Sequence, residues 1–270
     1  MNRLWVYLFL LLLYSCKTGM QLSVPQQSEN AVSGTEFYKE AAAMNWKQRD
    51  SFAVKELLSG NLPSFFKKFV PVHVSMIDSS TGKTIRAVIY VSPDYISIGT
   101  DADWARIPLT PMAAQQIADS FHCFLPTKKM VDEIFKAATI KSEPVPMYAF
   151  RDSTPTMYQH HLMIEGQRKQ QKGLIAGIKK DVILTEQVLS PSKQNKVAIY
   201  GWHQLNGKPI QPVYTGHANW YVDYSHGIRL IYEWIKINGK WVHYKEVFKH
   251  PVWYYLLTDE THPIFVRYPL

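Results

Sequence analysis

Cysteine is nearly missing from this chain: Cys16 and Cys123 are the only two in 270 residues. With Cys16 at the end of an N-terminal leader, no intrachain disulfide is expected. Cys123, between Phe121-His122 and Phe124, reads as a buried structural thiol. Long apolar runs are missing too. The one continuous run, residues 4–13 (LWVYLFLLLL), is about half of the roughly 20 residues a helix needs to span the bilayer core. There is no internal repeat, no His-Glu-x-x-His pair and no Gly-x-Ser-x-Gly elbow. Carboxylates are the scarcer charge, 22 Asp+Glu against 30 Lys+Arg, for a formal net charge of +8. The surplus lies in scattered pairs (Lys67-Lys68, Lys128-Lys129, Lys179-Lys180) with no basic tract. Solvated faces account for such pairs, and an export leader argues against nucleic acid as a partner.

What is present begins with that leader. Arg3 supplies a positive start, the apolar run follows, and Leu13-Tyr14-Ser15-Cys16 closes it. Leucine at −3, a small residue at −1 and cysteine at +1 resemble the lipobox of bacterial lipoproteins. The resemblance implies cleavage before Cys16, a thioether-linked lipid on Cys16 and fatty acylation such as palmitate. Several acyl chains together give durable membrane anchoring. Lys17-Thr18-Gly19-Met20-Gln21 holds no acidic run, so the expected place is the periplasm-facing leaflet of the cell envelope. Residues 1–15 then read as signal peptide, 16–35 as a flexible polar tether, and 36–270 as one domain. At 46% apolar and 13% aromatic, the domain has material for a substantial core.

The element pattern is α+β, with a mixed or largely antiparallel sheet and packed helices. One helix is expected over 36–58, capped by Ser33 or Thr35 and ended by Gly60, then a short helix capped by Asn61. Strands over 72–77 and 84–91 should pair around the turn-rich loop 78–83, with a third over 95–99. Thr110 and Thr127 are positioned to cap helices to about 121 and 138. Residues 143–156, with three prolines, read as a connection and hinge candidate, before a helix over 157–172. Short strands follow over 180–185 and 196–200. Asn206-Gly207 and Asn238-Gly239 signal type I′ hairpin turns, and 244–257 reads as a helix.

The candidate chemistry lies in residues 197–230. Here His203, His217, Asp223, Ser225, His226 and Arg229 alternate with strand-like apolar runs and glycines. Three readings follow. In one, His203, His217, Asp223 and His226 are the neutral imidazoles and carboxylate of a catalytic zinc with an open water position. In another, Asp223 orients a histidine that activates Ser225 or a water, with His203 or His217 the better-placed partner for Ser225. In the third, the cluster is structural. Trp202, Trp220, Tyr221 and Tyr224 would then be core, or stack on sugar faces in a binding groove, with Tyr200 a further ligand-binding candidate. Lys179 or Lys180 would meet an anionic ligand in such a groove.

Ser225-His226-Gly227-Ile228-Arg229 is similar to part of the Ser-His-Gly-Cys-x-Arg signature of L,D-transpeptidases, which work on peptidoglycan stem peptides through a cysteine thioester. Ile228 stands where that cysteine would be and Arg229 comes one residue early, so the family's nucleophile is not implied here. His217 and Asp223, five residues between them, resemble the His-x6-Asp of zinc D-alanyl-D-alanine carboxypeptidases, one residue short. The blocks SIGTDADWARIPLT, LPTKKMVDEI, VAIYGWHQLNGKPIQP and YVDYSHGIRL resemble exported bacterial proteins without carrying an activity with them. The expected function is a lipid-anchored hydrolase or transferase of the cell envelope, acting on peptidoglycan peptide or glycan. The alternative is a non-catalytic lipoprotein that binds glycan or a protein partner.

Overall fold

The computed structural model describes residues 20–261 and 265–269; the stretches read as signal peptide (1–15) and lipobox (13–16) lie outside them. The described helices are α1 (Gly34–Ala41), α2 (Trp46–Leu58), α3 (Pro111–Ser120), α4 (Lys128–Ala137), α5 (Thr154–Arg168) and α6 (Tyr244–Lys249). None is long and apolar enough to cross a membrane. The strands are β1 (Val70–Ile77), β2 (Thr84–Val91), β3 (Ser97–Gly99), β4 (Trp104–Arg106), β5 (Cys123–Phe124), β6 (Ile140–Lys141) and β7 (Ile175–Ala176). They continue with β8 (Lys180–Val182), β9 (Ile199–His203), β10 (Pro209–Tyr214), β11 (His226–Gly227), β12 (Ile231–Tyr232), β13 (Trp234–Ile237) and β14 (Lys240–His243). Most pairings are antiparallel, and the chain is a single α+β domain.

A single helix over 36–58 is not what forms. The chain breaks between α1 and α2 because Asn45 builds its own start signal. Its side chain accepts the Gln48 N–H at 3.1 Å, and the Gln48 side chain accepts the Asn45 N–H at 3.0 Å. Ser33 and Glu36 make the same reciprocal box at the start of α1. Asn61 does not cap the short 3-10 turn Ser64–Lys67. Its amide instead donates to the Val32 carbonyl and to Glu56. Thr110 and Thr127 cap α3 and α4 as their positions predict. Ser153 starts α5 earlier than expected, and the C-terminal helix stops at Lys249, ahead of Pro251. Asn238 (φ +46°) and Gly239 (φ +87°) form the left-handed pair of a type I′ hairpin. At 206–207 only Gly207 is left-handed, so that hairpin turns by another geometry.

The larger sheet has the order β14-β13-β2-β12-β5, in which β13 pairs with β2 at Ala87 and Val88 and β12 at Val91, while β1 pairs along the whole of β2. The smaller has the order β10-β9-β8-β11, all antiparallel except the β8–β11 pair. Helix α4 packs against both β1 and β9, so one continuous core joins the two sheets. The segment read as a tether is, from Met20 onward, fastened to this domain. Leu22 is buried and its N–H reaches the Lys67 carbonyl at 2.8 Å, while Phe69 N–H reaches Met20 O at 2.9 Å. The connection before α5 is likewise held, since Met147 N–H donates to the Tyr224 hydroxyl at 2.7 Å.

Candidate functional site

The site is assembled on the small sheet, where β8 lies between β9 and β11. Successive strand residues face opposite sides, so Lys180 and Asp181 point apart. His226 is the register partner of Lys180, which puts both on one face. Asp181, partnered with Tyr200, faces the other. Gly227 permits the close approach of the strands: a Cβ there would lie 2.4 Å from the Tyr95 ring and 2.7 Å from the Lys179 Cβ.

On the Lys180 face, a tight turn precedes β11. The Asp223 carboxylate accepts the Ser225 N–H at 2.8 Å and the Ser225 hydroxyl at 2.5 Å. Its second oxygen pairs with Arg151 at 2.9 Å. The His226 ring stands 3.9 Å from Asp223, with Tyr221 and His217 packed beside it at centroid distances of 6.1 and 6.0 Å. Trp202, with a left-handed φ of +56° that is unusual for a bulky side chain, lies under the Lys180 amine at 5.1 Å. Both His226 ring nitrogens are buried without a hydrogen-bond partner.

Burial sets the protonation states. It pushes His226 down to about 4 against the pull of Asp223, so the ring is neutral at pH 7. It also lowers Lys180, which Asp223 partly offsets. Burial works against ionising Asp223, but the His226 ring, the Ser225 hydroxyl and Lys180 outweigh it and hold the carboxyl well below the usual range. Beneath the turn, Lys179 is buried, donating to the Tyr224 carbonyl and to His160 Nδ1 at 3.1 Å. Desolvation lowers Lys179 to about 7 and His160 to about 2. Neither lysine of the 179–180 pair is a solvated surface group.

Several residues singled out in the sequence are elsewhere. His203 faces away, stacked on Phe135 at 4.5 Å and 3.2 Å from Asp132, which also accepts the Tyr200 hydroxyl at 2.7 Å. Arg229 is a buried brace, donating to the Ser92 and Ile175 carbonyls over the Tyr95 ring. Ser225 is fully buried and its hydroxyl donates to Asp223 within the turn. The four-ligand zinc set does not assemble: Gly201 and Trp202, both left-handed, break the alternation of β9, and His203 emerges on the Tyr200 side beside Asp132. Among the described residues no three His, Cys, Asp or Glu side chains are grouped to hold a metal. Tyr224 is core and anchors the connection. Trp220 is 51% exposed and lines, with Trp46 and Tyr221, a cleft of about 270 Å³. Sequence reasoning missed Arg151. Its signal was a cation at the end of a proline-rich connection, and only the fold brings it to Asp223.

The site is thus a buried cluster of His226, Asp223 and Lys180, with the part-exposed Arg151, in an α+β domain. No family model, curated protein or solved structure matches the chain.

Proposed function

We propose that this protein is an exported, lipid-anchored component of the bacterial cell envelope and a hydrolase or transferase acting on peptidoglycan peptide or glycan. Its acid–base group is His226. The observation that carries this reading is a neutral, buried imidazole with two unpartnered nitrogens, 3.9 Å from an ionised carboxylate. An unmade hydrogen bond on a buried polar atom costs about 1–3 kcal/mol, which folding alone does not repay. Such pairing of a neutral base with a charged neighbour in a perturbed environment is a feature of catalytic sites.

In hydrolysis, His226 takes a proton from the attacking water and returns it to the leaving nitrogen or oxygen, so one water is consumed and the ring ends neutral. Asp223, held by Arg151 and the Ser225 turn, stabilises the transient imidazolium. Ser225 and Arg229, included among the sequence candidates, take no part in this scheme. The test is release of soluble fragments from purified cell wall by wild type, His226→Ala and Ser225→Ala. Release by wild type and by Ser225→Ala, but not by a folded His226→Ala, is expected. A wild type that releases nothing would remove the enzyme reading. The exposed Trp220 beside Trp46 and Tyr221 favours the second reading, a glycan-binding lipoprotein, in that event.

A further inference from the structure

Around Lys180, hydrogen-bond donors outnumber acceptors. Among the described residues six buried side-chain nitrogens lack a partner. Four of them belong to three residues about this amine: Nδ1 and Nε2 of His226, Nε1 of Trp202 and Nε of Arg151. Trp202 Nε1 and Arg151 Nε carry hydrogens and can only donate, and a neutral His226 donates through one nitrogen. Lys180 is 6% exposed as a residue, and its amine, over the Trp202 ring, is not among the buried unpartnered nitrogens. The nearest carboxylate, Asp223, is taken by Arg151 at 2.9 Å and by the two Ser225 bonds. The Lys180 amine therefore has Asp223 as a charged neighbour but holds no carboxylate of its own.

We propose that this pocket recognises a single carboxylate on its ligand, with Lys180 as the countercharge and the N–H groups of Trp202, His226 and Arg151 around it. The charge count selects the class. A carboxylate brings one negative charge to the one amine on this face, since the Lys179 amine lies beneath the turn and is given to the Tyr224 carbonyl and His160, whereas a phosphate dianion would bring a second charge with no amine free to meet it. The register that sets His226 opposite Lys180 places the bound carboxylate next to the acid–base ring, so the reacting bond lies close to a ligand end that bears a carboxyl group. A peptide C-terminus and a sugar acid both present that group. The inference rests on the pocket being a ligand site, and not on turnover.

Calorimetric titration at pH 7 with four soluble probes, the fourth being inorganic phosphate, separates the cases. N-acetyl-alanine and its amide differ only in the charged group, and glucuronic acid carries the same charge on a sugar. At least one carboxylate should bind tenfold or more tightly than the amide, and Lys180→Met should abolish that preference. Preference for N-acetyl-alanine assigns the peptide, and preference for glucuronic acid assigns the sugar acid. Equal affinity for N-acetyl-alanine and its amide with no binding of glucuronic acid, no binding of any probe, or tighter binding of inorganic phosphate would overturn the proposal. The wild-type comparison stands even if Lys180→Met fails to fold. Carboxylate binding by a protein that releases no cell-wall fragments would sink the enzyme reading and leave this one intact.

Discussion

His226 forgoes two hydrogen bonds that solvent would supply, and Lys179 beneath it carries an amine into the core. Each is unfavourable for folding taken alone. For Lys179 the consequence can be read from pH. Its folded-state value is lowered to about 7 from 10.5. Between those values the unfolded chain keeps a proton that the folded protein has released, so stability rises with pH across that window. From pH 7 to 9 the gain from this group is about 2 kcal/mol. Denaturant titrations at the two pH values should show that rise in wild type and its loss in Lys179→Met. A slope unchanged by the substitution would mean the amine is not held as described. Ser225 gives a complementary case. Removing its hydroxyl takes a donor from buried Asp223, so Ser225→Ala should lower stability by about 1–3 kcal/mol while sparing turnover. Lost turnover with unchanged stability would restore Ser225 as a nucleophile.

At the scale of elements, the two-residue strand β11 depends on Gly227. An alanine methyl there has no room between the Tyr95 ring and Lys179. Gly227→Ala should cost about 1–3 kcal/mol as overpacking and displace His226 from Lys180. Thermal unfolding should fall by roughly 2–4 °C for each kcal/mol in a domain of this size. Unchanged melting with full ligand binding would refute the close approach. Elements defined by local chemistry were legible in the sequence. The β1–β2 hairpin, the Thr110 and Thr127 caps and the Asn238-Gly239 turn each depend on a few adjacent residues. The split of α1 from α2 was also local, since Asn45 and Gln48 are three apart, but the continuing helical pattern masked it. In the site, His217, Asp223 and His226 are near in sequence and near in space. The separation of His203, the bracing role of Arg229 and the arrival of Arg151 were not legible. The first follows from the left-handed break at Gly201-Trp202, and the others from contacts tens of residues apart, which side-chain spacing does not encode.

For the whole molecule, the proposal joins a domain with an acid–base pocket to a lipid anchor at Cys16. Cys16→Ala should lose fatty-acid labelling and leave the membrane fraction. Retention of that form in membranes, with no lipid on the wild type, would contradict the anchor. The chemistry is tested most directly by the pH dependence of cell-wall fragment release. A general base must be unprotonated, and burial keeps His226 so down to about 4. The rate should therefore hold from about pH 7 to 5, fall only near 4, and vanish in His226→Ala. A fall centred near the ordinary histidine value of 6.5, or release by His226→Ala that matches wild type, would contradict the assignment of His226 as the base.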